Sequence, residues 1–373
     1  MNYAGNALNI PGSAPQAASG GNAVARAVPF VRAANKCRVT GESKVVSIGT
    51  AVQNVSLVVP AIGGWNRRVV LQVTCVTATN VAAVAFAADA PFNALSQILF
   101  KDSAQKQLVL FTNGYYAYLM NNFGGYKTFR MDSSTRAYTA ITGTGATGGS
   151  FTFFLILPQE CSRDGICSYP NMDASQRLTI DLTVNTTASI YTTPPTNPGT
   201  LTITPVVYYY SKPAATNAQG AAQETTPPGV GSVQFWRTAQ YVLASGNNIV
   251  TVNLSGRYLR NIIAIFTDAS DVRSDTVRPT TVRAELDNNL IFDSGTQDWD
   301  ADIFRTFGID TATGMFPVLL GTTDPDGIQG SEWADDWWST STSSQLVLKF
   351  TAGAAGKMYL LLNEVEAQGE IFR

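Results

Sequence analysis

Short apolar runs rich in Val, Ile, Thr, Tyr and Phe recur along the chain, and clusters of Gly, Asn, Pro and Asp separate them. Residues 67–76 (RRVVLQVTCV) and 201–210 (LTITPVVYYY) are two clear examples. Such runs between turn residues indicate strands, and many of them in succession favour a β-sandwich or a barrel. Segments with the long period of an amphipathic helix are rare. The pattern therefore predicts an all-β protein.

One stretch near the middle of the chain breaks this pattern. Residues 211–231 (SKPAATNAQGAAQETTPPGVG) have no apolar periodicity and have the composition of a solvated connection. A predicted strand lies on each side, at residues 201–210 and 233–243. Because 373 residues are many for one domain, we place a domain boundary here. The predicted division is an N-terminal arm at 1–42, a first domain at 43–211, a linker at 212–231 and a second domain at 232–373.

The same order of elements occurs on both sides of the linker: a long strand, a hairpin, and a short amphipathic segment that we predict to be helical. These elements are residues 67–76, 95–111 and 115–122 in the first half, and 257–267, 281–293 and 298–307 in the second. Each half is large enough for an eight-stranded sandwich. We therefore expect a duplicated domain. The alternative is that any two β domains share hairpins, but helical segments after the hairpin are not a general feature of β domains.

Composition and charge suggest contacts with other protein chains. Hydrophobic residues make up 45% of the chain and charged residues only 14%, so some surface is expected to be buried against further copies. Residues 1–224 contain 15 basic and 9 acidic side chains, whereas residues 225–373 contain 10 basic and 18 acidic ones. Opposite charges on the two halves would favour head-to-tail contacts between copies. Accidental asymmetry is the alternative.

The residue types argue against catalysis. The chain has no His, which removes the usual general base and excludes Ser-His-Asp and Cys-His arrangements. Asp298, Asp300 and Asp302 are close in sequence, but solvated acidic segments are commoner than a carboxylate pair across a cleft. Residues 324–327 (DPDG) lack a ligand that a calcium loop needs. We expect no enzymatic activity, no cofactor and no bound metal.

The four cysteines are Cys37, Cys75, Cys161 and Cys167. No signal-peptide pattern is found at the N-terminus, so we expect free thiols in a reducing cytoplasm rather than disulfides. Whether Cys161 and Cys167 ever pair stays open. No stretch approaches the ~18 consecutive apolar residues of a membrane-spanning helix.

Residues 1–41 form a basic segment with too little apolar content to fold alone. Its charges are Arg26, Arg32, Lys36 and Arg38, and it contains no acidic residue. One interpretation is a disordered terminus, which is common. The other is a cationic arm that contacts a neighbouring subunit, a membrane or nucleic acid.

Tryptophan is concentrated after the linker, where five of the six occur. Trp333, Trp337 and Trp338 belong to the run WADDWW, which places large apolar side chains beside two carboxylates. The three side chains cannot all belong to the core, so we predict that at least one is an anchor buried between subunits. The alternative is that they cover the core of their own domain.

Residues 148–184 combine an ATGGS turn, the aromatic strand FTFFLILP, a polar loop and the strand segment DASQRLTIDLTV. Together with the hairpin LSQILFKDSAQKQ and the following YYAYLMN, this order resembles the double jelly-roll major capsid proteins of tailless, internal-membrane (tectivirus-like) bacteriophages. The order of elements matches across the first half. In the second half the match is one of pattern only, and no short diagnostic motif supports it.

The resemblance implies two tandem eight-stranded jelly rolls with short helices in their connections. It also implies homotrimers of pseudo-hexagonal outline that tile an icosahedral shell over an internal membrane and double-stranded DNA. Neighbouring trimers, penton proteins and minor capsid proteins would be its partners, without sequence-specific binding to nucleic acid. The arm would lie near the membrane, and the loops at residues 139–149 and 186–200 would project outward. Such a protein is assembled in the host cytoplasm and belongs to the virion.

Two other classes of protein remain as alternatives to a capsid subunit. A secreted β-sandwich adhesin or carbohydrate-binding protein would use its Trp and Tyr side chains to stack on sugars, although no signal peptide is evident. A polysaccharide-cleaving enzyme on a β-sandwich would need two carboxylates that face each other. The sequence does not place such a pair.

Overall fold

The computed structural model describes residues 26–368 except 79, 125–137, 162–163, 174, 176, 198, 255, 308–309, 320–336 and 342–343. Its helices are α1 (Phe30–Ala33), α2 (Gly114–Phe123), α3 (Thr187–Ile190) and α4 (Thr296–Phe307), with a 3₁₀ turn at Phe92–Ala94. The strands before the linker are β1 (Lys36–Thr40), β2 (Lys44–Ser47), β3 (Gln53–Val58), β4 (Gly64–Val76), β5 (Asn80–Phe86), β6 (Leu95–Lys101), β7 (Gln107–Phe111), β8 (Tyr138–Ala140), β9 (Gly143–Gly145), β10 (Phe151–Pro158), β11 (Tyr169–Asn171), β12 (Thr179–Val184), β13 (Tyr191–Thr193) and β14 (Thr200–Ser211).

The strands after the linker are β15 (Val233–Leu243), β16 (Gly246–Asn253), β17 (Tyr258–Thr267), β18 (Thr281–Leu286), β19 (Asn289–Gly295), β20 (Met315–Leu319), β21 (Gln345–Ala352) and β22 (Gly356–Glu366). The prediction of an all-β protein with short helices is confirmed.

Each half is a sandwich of two sheets, and the two sandwiches have the same strand order. In the first half one sheet runs β1-β14-β4-β10 and the other runs β3-β12-β6-β7. In the second half the corresponding sheets run β15-β22-β17-β20 and β16-β21-β18-β19. With the principal strands of each half counted along the chain, both halves follow the orders 1-8-3-6 and 2-7-4-5. This is the strand order of a jelly roll, so the predicted fold class and its duplication are confirmed.

Alternating side chains of the facing sheets fill each core, as the period of two in a strand requires. Ile180, Leu182 and Val184 of β12 point inward, for example, and the residues between them are half-buried. Tyr258–Thr267 in β17 is instead buried along almost its whole length, because the first half covers its outer face. The sandwiches are therefore not two independent bodies.

One continuous sheet joins the two halves. Strand β7 at the edge of the first sandwich pairs in parallel with β15 at Val109 and Trp236, which creates an eight-stranded sheet. The Thr238 hydroxyl adds a hydrogen bond to the Leu110 carbonyl at 3.0 Å. Because backbone pairing continues from one sandwich to the next, their relative orientation is fixed by the sheet as well as by side-chain packing.

The molecule has two distinct ends. Strand pairing places Gly64 of β4 opposite Ser211 and Val76 opposite Thr200, so the linker leaves from the end at Ser211. We name this the linker end. At the opposite end, the loop end, a small sheet of order β13-β5-β9 connects the two long loops that the sequence analysis singled out. The predicted domain limits are not tested by these pairings and stay a prediction.

Candidate functional site

The N-terminal segment is anchored at the linker end by one aromatic side chain. Phe30 is fully buried and makes edge-to-face contacts with Trp65 at 6.3 Å and Tyr210 at 5.3 Å between ring centroids. After α1, β1 pairs with β14 along its whole length. Residues 30–40 are therefore packed on the first sandwich, although residues 1–41 have too little apolar content to fold alone. The physical reason is that β1 completes a sheet edge and Phe30 fills an aromatic pocket.

Hydrogen bonds join the linker to this N-terminal segment. Val28 forms a parallel bridge with Gln223 of the linker, and the Val28 amide donates to the Ala222 carbonyl at 2.9 Å. The Phe30 amide donates to a carboxylate oxygen of Glu224 at 3.1 Å. Residues 26–35, which we name the arm base, are thus fixed beside the linker. Residue 26, where the described part of the chain begins, therefore lies at the linker end.

A buried acid lies beneath the arm base. The Glu160 carboxylate accepts hydrogen bonds from Arg67 Nε at 2.8 Å and from the Tyr210 hydroxyl at 2.5 Å. Burial raises the pKa of Glu160, while the charge of Arg67 opposes that rise. Gln234 of β15 donates to the Glu160 carbonyl at 3.1 Å, so the cluster also connects the two halves.

A second buried polar group crosses the junction between the halves. Arg260 of β17 is fully buried and donates to the Asn363 side chain at 2.8 Å and to the Gly124 carbonyl at 3.3 Å. Asn363 in turn donates to the Phe235 carbonyl at 3.0 Å. A buried guanidinium needs such partners because it has lost its hydration. The network ties the end of α2 to the second sandwich.

Apolar packing and ion pairs complete the junction. Trp236 of β15 lies 6.3 Å from Phe111 between ring centroids, and Tyr359 lies 5.3 Å from Tyr116 of α2. Near the loop end, Arg273 and Asp89 form an ion pair at 2.9 Å. These contacts make the two sandwiches one rigid unit, which suits a building block better than a pair of mobile domains.

The predicted basic residues are all exposed, but they belong to different elements. Arg26 and Arg32 lie on the arm base, whereas Lys36 and Arg38 lie on β1 at the edge of a sheet. Their roles stay a prediction, and Lys36, which pairs with Tyr210, lies near the linker end together with the arm base.

The tryptophans of the WADDWW run are placed unevenly. Trp333 lies outside the described residues. Trp337 is only 5% exposed and packs in one cluster with Cys161, Cys167 and Val365, at the junction of the two halves. It therefore has little area left for contact with another subunit. Trp338 is half-buried against the second core, and an anchor role between subunits stays a prediction for this run.

Other candidate sites from the sequence are accounted for by local contacts or lie outside the described residues. Asp300 pairs with Arg278 at 2.6 Å, and Asp302 pairs with Arg305. Residues 324–327 are outside the described residues. Across the described parts of the chain, no disulfide joins the cysteines, no cluster of three or more potential metal ligands is found, and no helix is long and apolar enough to cross a membrane.

Sequence reasoning did not identify the sheet edges of the described structure, among them two whose counterparts in the other half are paired with each other. One is β1, which continues the first sheet outward, and the other is β19, which ends the last sheet beside α4. The duplication was the available signal for these two edges. In the repeated strand order β15 corresponds to β1 and β7 corresponds to β19, and β15 and β7 are paired with each other inside the chain. The duplication identifies β1 and β19 as edges only once the strand order is known.

Comparison with known proteins gives structural matches without sequence relatives. No protein-family model and no curated protein sequence matches the chain. A chain of the atomic structure of Sulfolobus turreted icosahedral virus superposes with a TM-score of 0.62 at 11% identity, over 88% of this chain and 90% of that chain. The VP54 protein of PBCV-1 gives 0.61 at 10% identity, over 90% and 94%. This chain has the double jelly-roll fold.

A bacteriophage protein shares the double jelly-roll fold as well. The major capsid protein P2 of bacteriophage PM2 gives a TM-score of 0.52 at 9% identity and covers 91% of this chain and 100% of that one. At such low identity the likeness concerns the fold. The resemblance noted from the sequence is therefore confirmed at the level of the double jelly roll.

Proposed function

We propose that this protein is the major capsid protein of an icosahedral virus and has no enzymatic role. The observation that carries the proposal is the rigid fusion of two equivalent jelly rolls through one continuous sheet. Two equivalent barrels in one chain supply a third of the six barrels that a hexagonal ring needs. The structures that match over about nine-tenths of the chain include proteins described as major capsid proteins. Fold alone does not establish function, so the proposal needs an assembly experiment.

In this proposal, three copies form a ring of six barrels with a pseudo-hexagonal outline. Head-to-tail contacts that close into a ring suit a chain whose two halves carry opposite net charge. Neighbouring trimers, penton proteins and minor capsid proteins would be the further partners in the shell. The protein would be made in the host cytoplasm and would end in the virion.

We assign the linker end to the inside of the shell and the loop end to the outside. The linker end carries the exposed Arg26 and Arg32 and the departure point of the N-terminal segment. Cationic side chains at one end suit an anionic lipid surface. The loop end carries the small β13-β5-β9 sheet, which is proposed to project outward. The double-stranded DNA would lie beneath the membrane without sequence-specific contact.

The adhesin alternative receives no support from the described tryptophans. Trp65, Trp236 and Trp337 are at most 5% exposed, and Trp299 and Trp338 are half-buried. A sugar-stacking platform needs an exposed ring face, which none of these five side chains offers in full.

The assembly state of the purified full-length protein tests the proposal. Light scattering after size exclusion is expected to give three times the chain mass of 39.9 kDa. Negative-stain images should show particles with a hexagonal outline. A monomer at micromolar concentration, or particles without six-fold appearance, would contradict the capsid role.

A further inference from the structure

Two loops of the first half lie side by side at the linker end. Strand β4 begins at Gly64, which lies opposite Ser211 at this end, and β3 ends shortly before it, at Val58. Strand β11 pairs with the first residues of β4 and ends at Asn171. The chain between β3 and β4 and the chain that follows β11 therefore meet at the linker end.

Hydrogen bonds join these two loops into one surface. The Ile62 and Gly63 amides both donate to the Asn171 carbonyl at 3.1 Å. The side chain of Asn171, which is itself buried, donates to the Pro60 carbonyl at 2.8 Å. Side chains that extend from these loops are therefore held in place by the backbone beneath them.

The exposed side chains of this surface are mostly apolar. Val58 is 43% exposed and Met172 is 40% exposed, and Ala61 is exposed as well. A depression of about 190 Å³ opens on the surface, and its walls are formed by Val58, Val59, Pro60, Ala61 and Arg177. We name residues 58–62, with Met172 and Arg177, the base patch. Apolar side chains that are grouped and held exposed mark a surface that a partner covers.

Charge indicates what kind of partner covers the base patch. Arg177 is exposed at the depression and Asp173 is exposed beside Met172, so the patch itself is close to neutral. The same end of the first half carries one further exposed acid, Asp164, and the exposed basic side chains Arg26, Arg32, Lys36 and Lys212. Apolar side chains beside several cations are the composition of a surface that lies in a membrane interface, because the apolar groups enter between the lipid headgroups while the cations face the phosphates.

We propose that the base patch enters the headgroup layer of a phospholipid bilayer, with a lipid glycerol and its first methylene groups in the depression and the lipid phosphodiester at Arg177. This inference rests on the proposed function, which turns the linker end toward a membrane. It adds a contact of a different kind from that of the arm base. Salt screens the attraction between the arm base and anionic lipid, whereas burial of apolar side chains depends little on salt or on headgroup charge.

Vesicle binding at high salt tests this contact. At about 1 M NaCl the Debye length is only ~3 Å, so the base patch should account for the binding that full-length trimers keep to phosphatidylcholine vesicles. Val58→Asp/Met172→Asp places two charges in the apolar contact and should lower this remaining binding at least ~5-fold. Val242→Asp/Val272→Asp is the matched control, because both valines are exposed at the loop end. Circular dichroism of each variant verifies that it is folded.

A fluorescent label keeps the test decisive even if the aspartate variants fold poorly. Ala61→Cys in a Cys37→Ser background can be labelled with nitrobenzoxadiazole, because the other three cysteines are buried. Its emission should shift to the blue and strengthen when phosphatidylcholine vesicles are added at the same salt concentration. A label at Val272→Cys in the same background should not respond.

The possible results separate this inference from the proposed function. Equal binding of the aspartate variant and its control, an unresponsive label at Ala61→Cys, or loss of all binding by the unmodified protein at high salt would each overturn the contact of the base patch. The proposed function survives these results if light scattering shows that the unmodified protein is a trimer. A monomer would contradict the proposed function whatever the vesicles show.

Discussion

At the residue scale, the junction between the halves depends on charged and polar side chains that have lost their water. Arg260 and Glu160 are both buried, and each has partners from more than one strand or loop. Removal of one partner from a buried ionic pair costs about 3–5 kcal/mol, because the other is left without compensation. Of the two, Arg260 joins the halves through Gly124 and Asn363, whereas the carboxylate of Glu160 is held by Arg67 and Tyr210 of the first half.

Glu366 provides a prediction about acid pH. It pairs with Lys106 of the first half at 3.0 Å and with Arg257 at 3.1 Å. Burial works against ionisation, but Lys106 and Arg257 outweigh it and lower the pKa of Glu366 from its ordinary 4.5. The stabilisation is therefore present above pH 4.5 and is lost as the pH falls through the lowered value.

Glu366→Gln tests this dependence. At pH 7 the variant should be less stable by up to ~1 kcal/mol, since the pair is partly exposed. At pH 3 the difference between the urea midpoints of the two proteins should shrink. A difference that stays constant from pH 7 to pH 3 would show that ionisation of Glu366 is not involved.

At the element scale, equivalent elements of the two jelly rolls have sequences suited to different surroundings. Helix α2 (GYYAYLMNNF) is largely apolar or aromatic around its circumference, as a helix covered on most sides requires. Helix α4 (TQDWDADIFRTF) has a buried Ile303 on one face and charged residues on others. One edge of the duplicated fold is thus suited to permanent burial, whereas the equivalent edge carries charged side chains that suit contact with solvent.

The linker is expected to tolerate insertion at its tip. Residues 217–221 form a turn in which the Asn217 side chain accepts from the Gln219 and Ala221 amides, away from the contacts of Gln223 and Glu224 with the arm base. A Gly-Ser dipeptide inserted between Gln219 and Gly220 should lower the free energy of unfolding by less than ~1 kcal/mol, because the entropy of loop closure grows slowly with loop length.

The same insertion between Arg237 and Thr238 is the control. It would shift the register of β15, which pairs with both β22 and β7, and thermal unfolding should detect a large loss of stability. If the insertion at the linker tip destabilises the protein as much as this control does, the linker is part of a folded core.

At the scale of the whole molecule, the two ends of the barrels differ in chemistry. The arm base, the linker and the last strand residues meet at one end, where Ser232 and Gln368 are hydrogen-bonded. The loops and the small third sheet occupy the other end. A shell subunit requires such polarity, because its two ends face different surroundings.

This polarity predicts binding to anionic membranes through the arm base. Full-length trimers should bind phosphatidylserine-containing vesicles at low salt, and binding should fade as salt rises. Three copies per trimer multiply a weak contact through effective concentration. Vesicle co-sedimentation measures this, with phosphatidylcholine vesicles as the lipid control.

Arg26→Gln/Arg32→Gln should weaken this binding and leave the trimer intact. The control variant Arg283→Gln/Lys349→Gln loses the same charge from the β16-β21-β18-β19 sheet of the second half. It should bind vesicles as well as the unmodified protein does. Equal binding by both double variants would contradict a membrane role for the arm base.

The sequence by itself determined the β class, the duplication and the two helices after the hairpins. These features depend on local periodicity and turn residues, which act over a few neighbouring positions. Only the tertiary structure decided that residues 30–40 pack on the first jelly roll, that Trp337 is used inside the chain, and that β1 and β19 are left as free edges. Each depends on contacts between residues far apart in sequence. A basic strand at a sheet edge and a basic disordered arm have the same composition, and only the presence of a strand to pair with separates them.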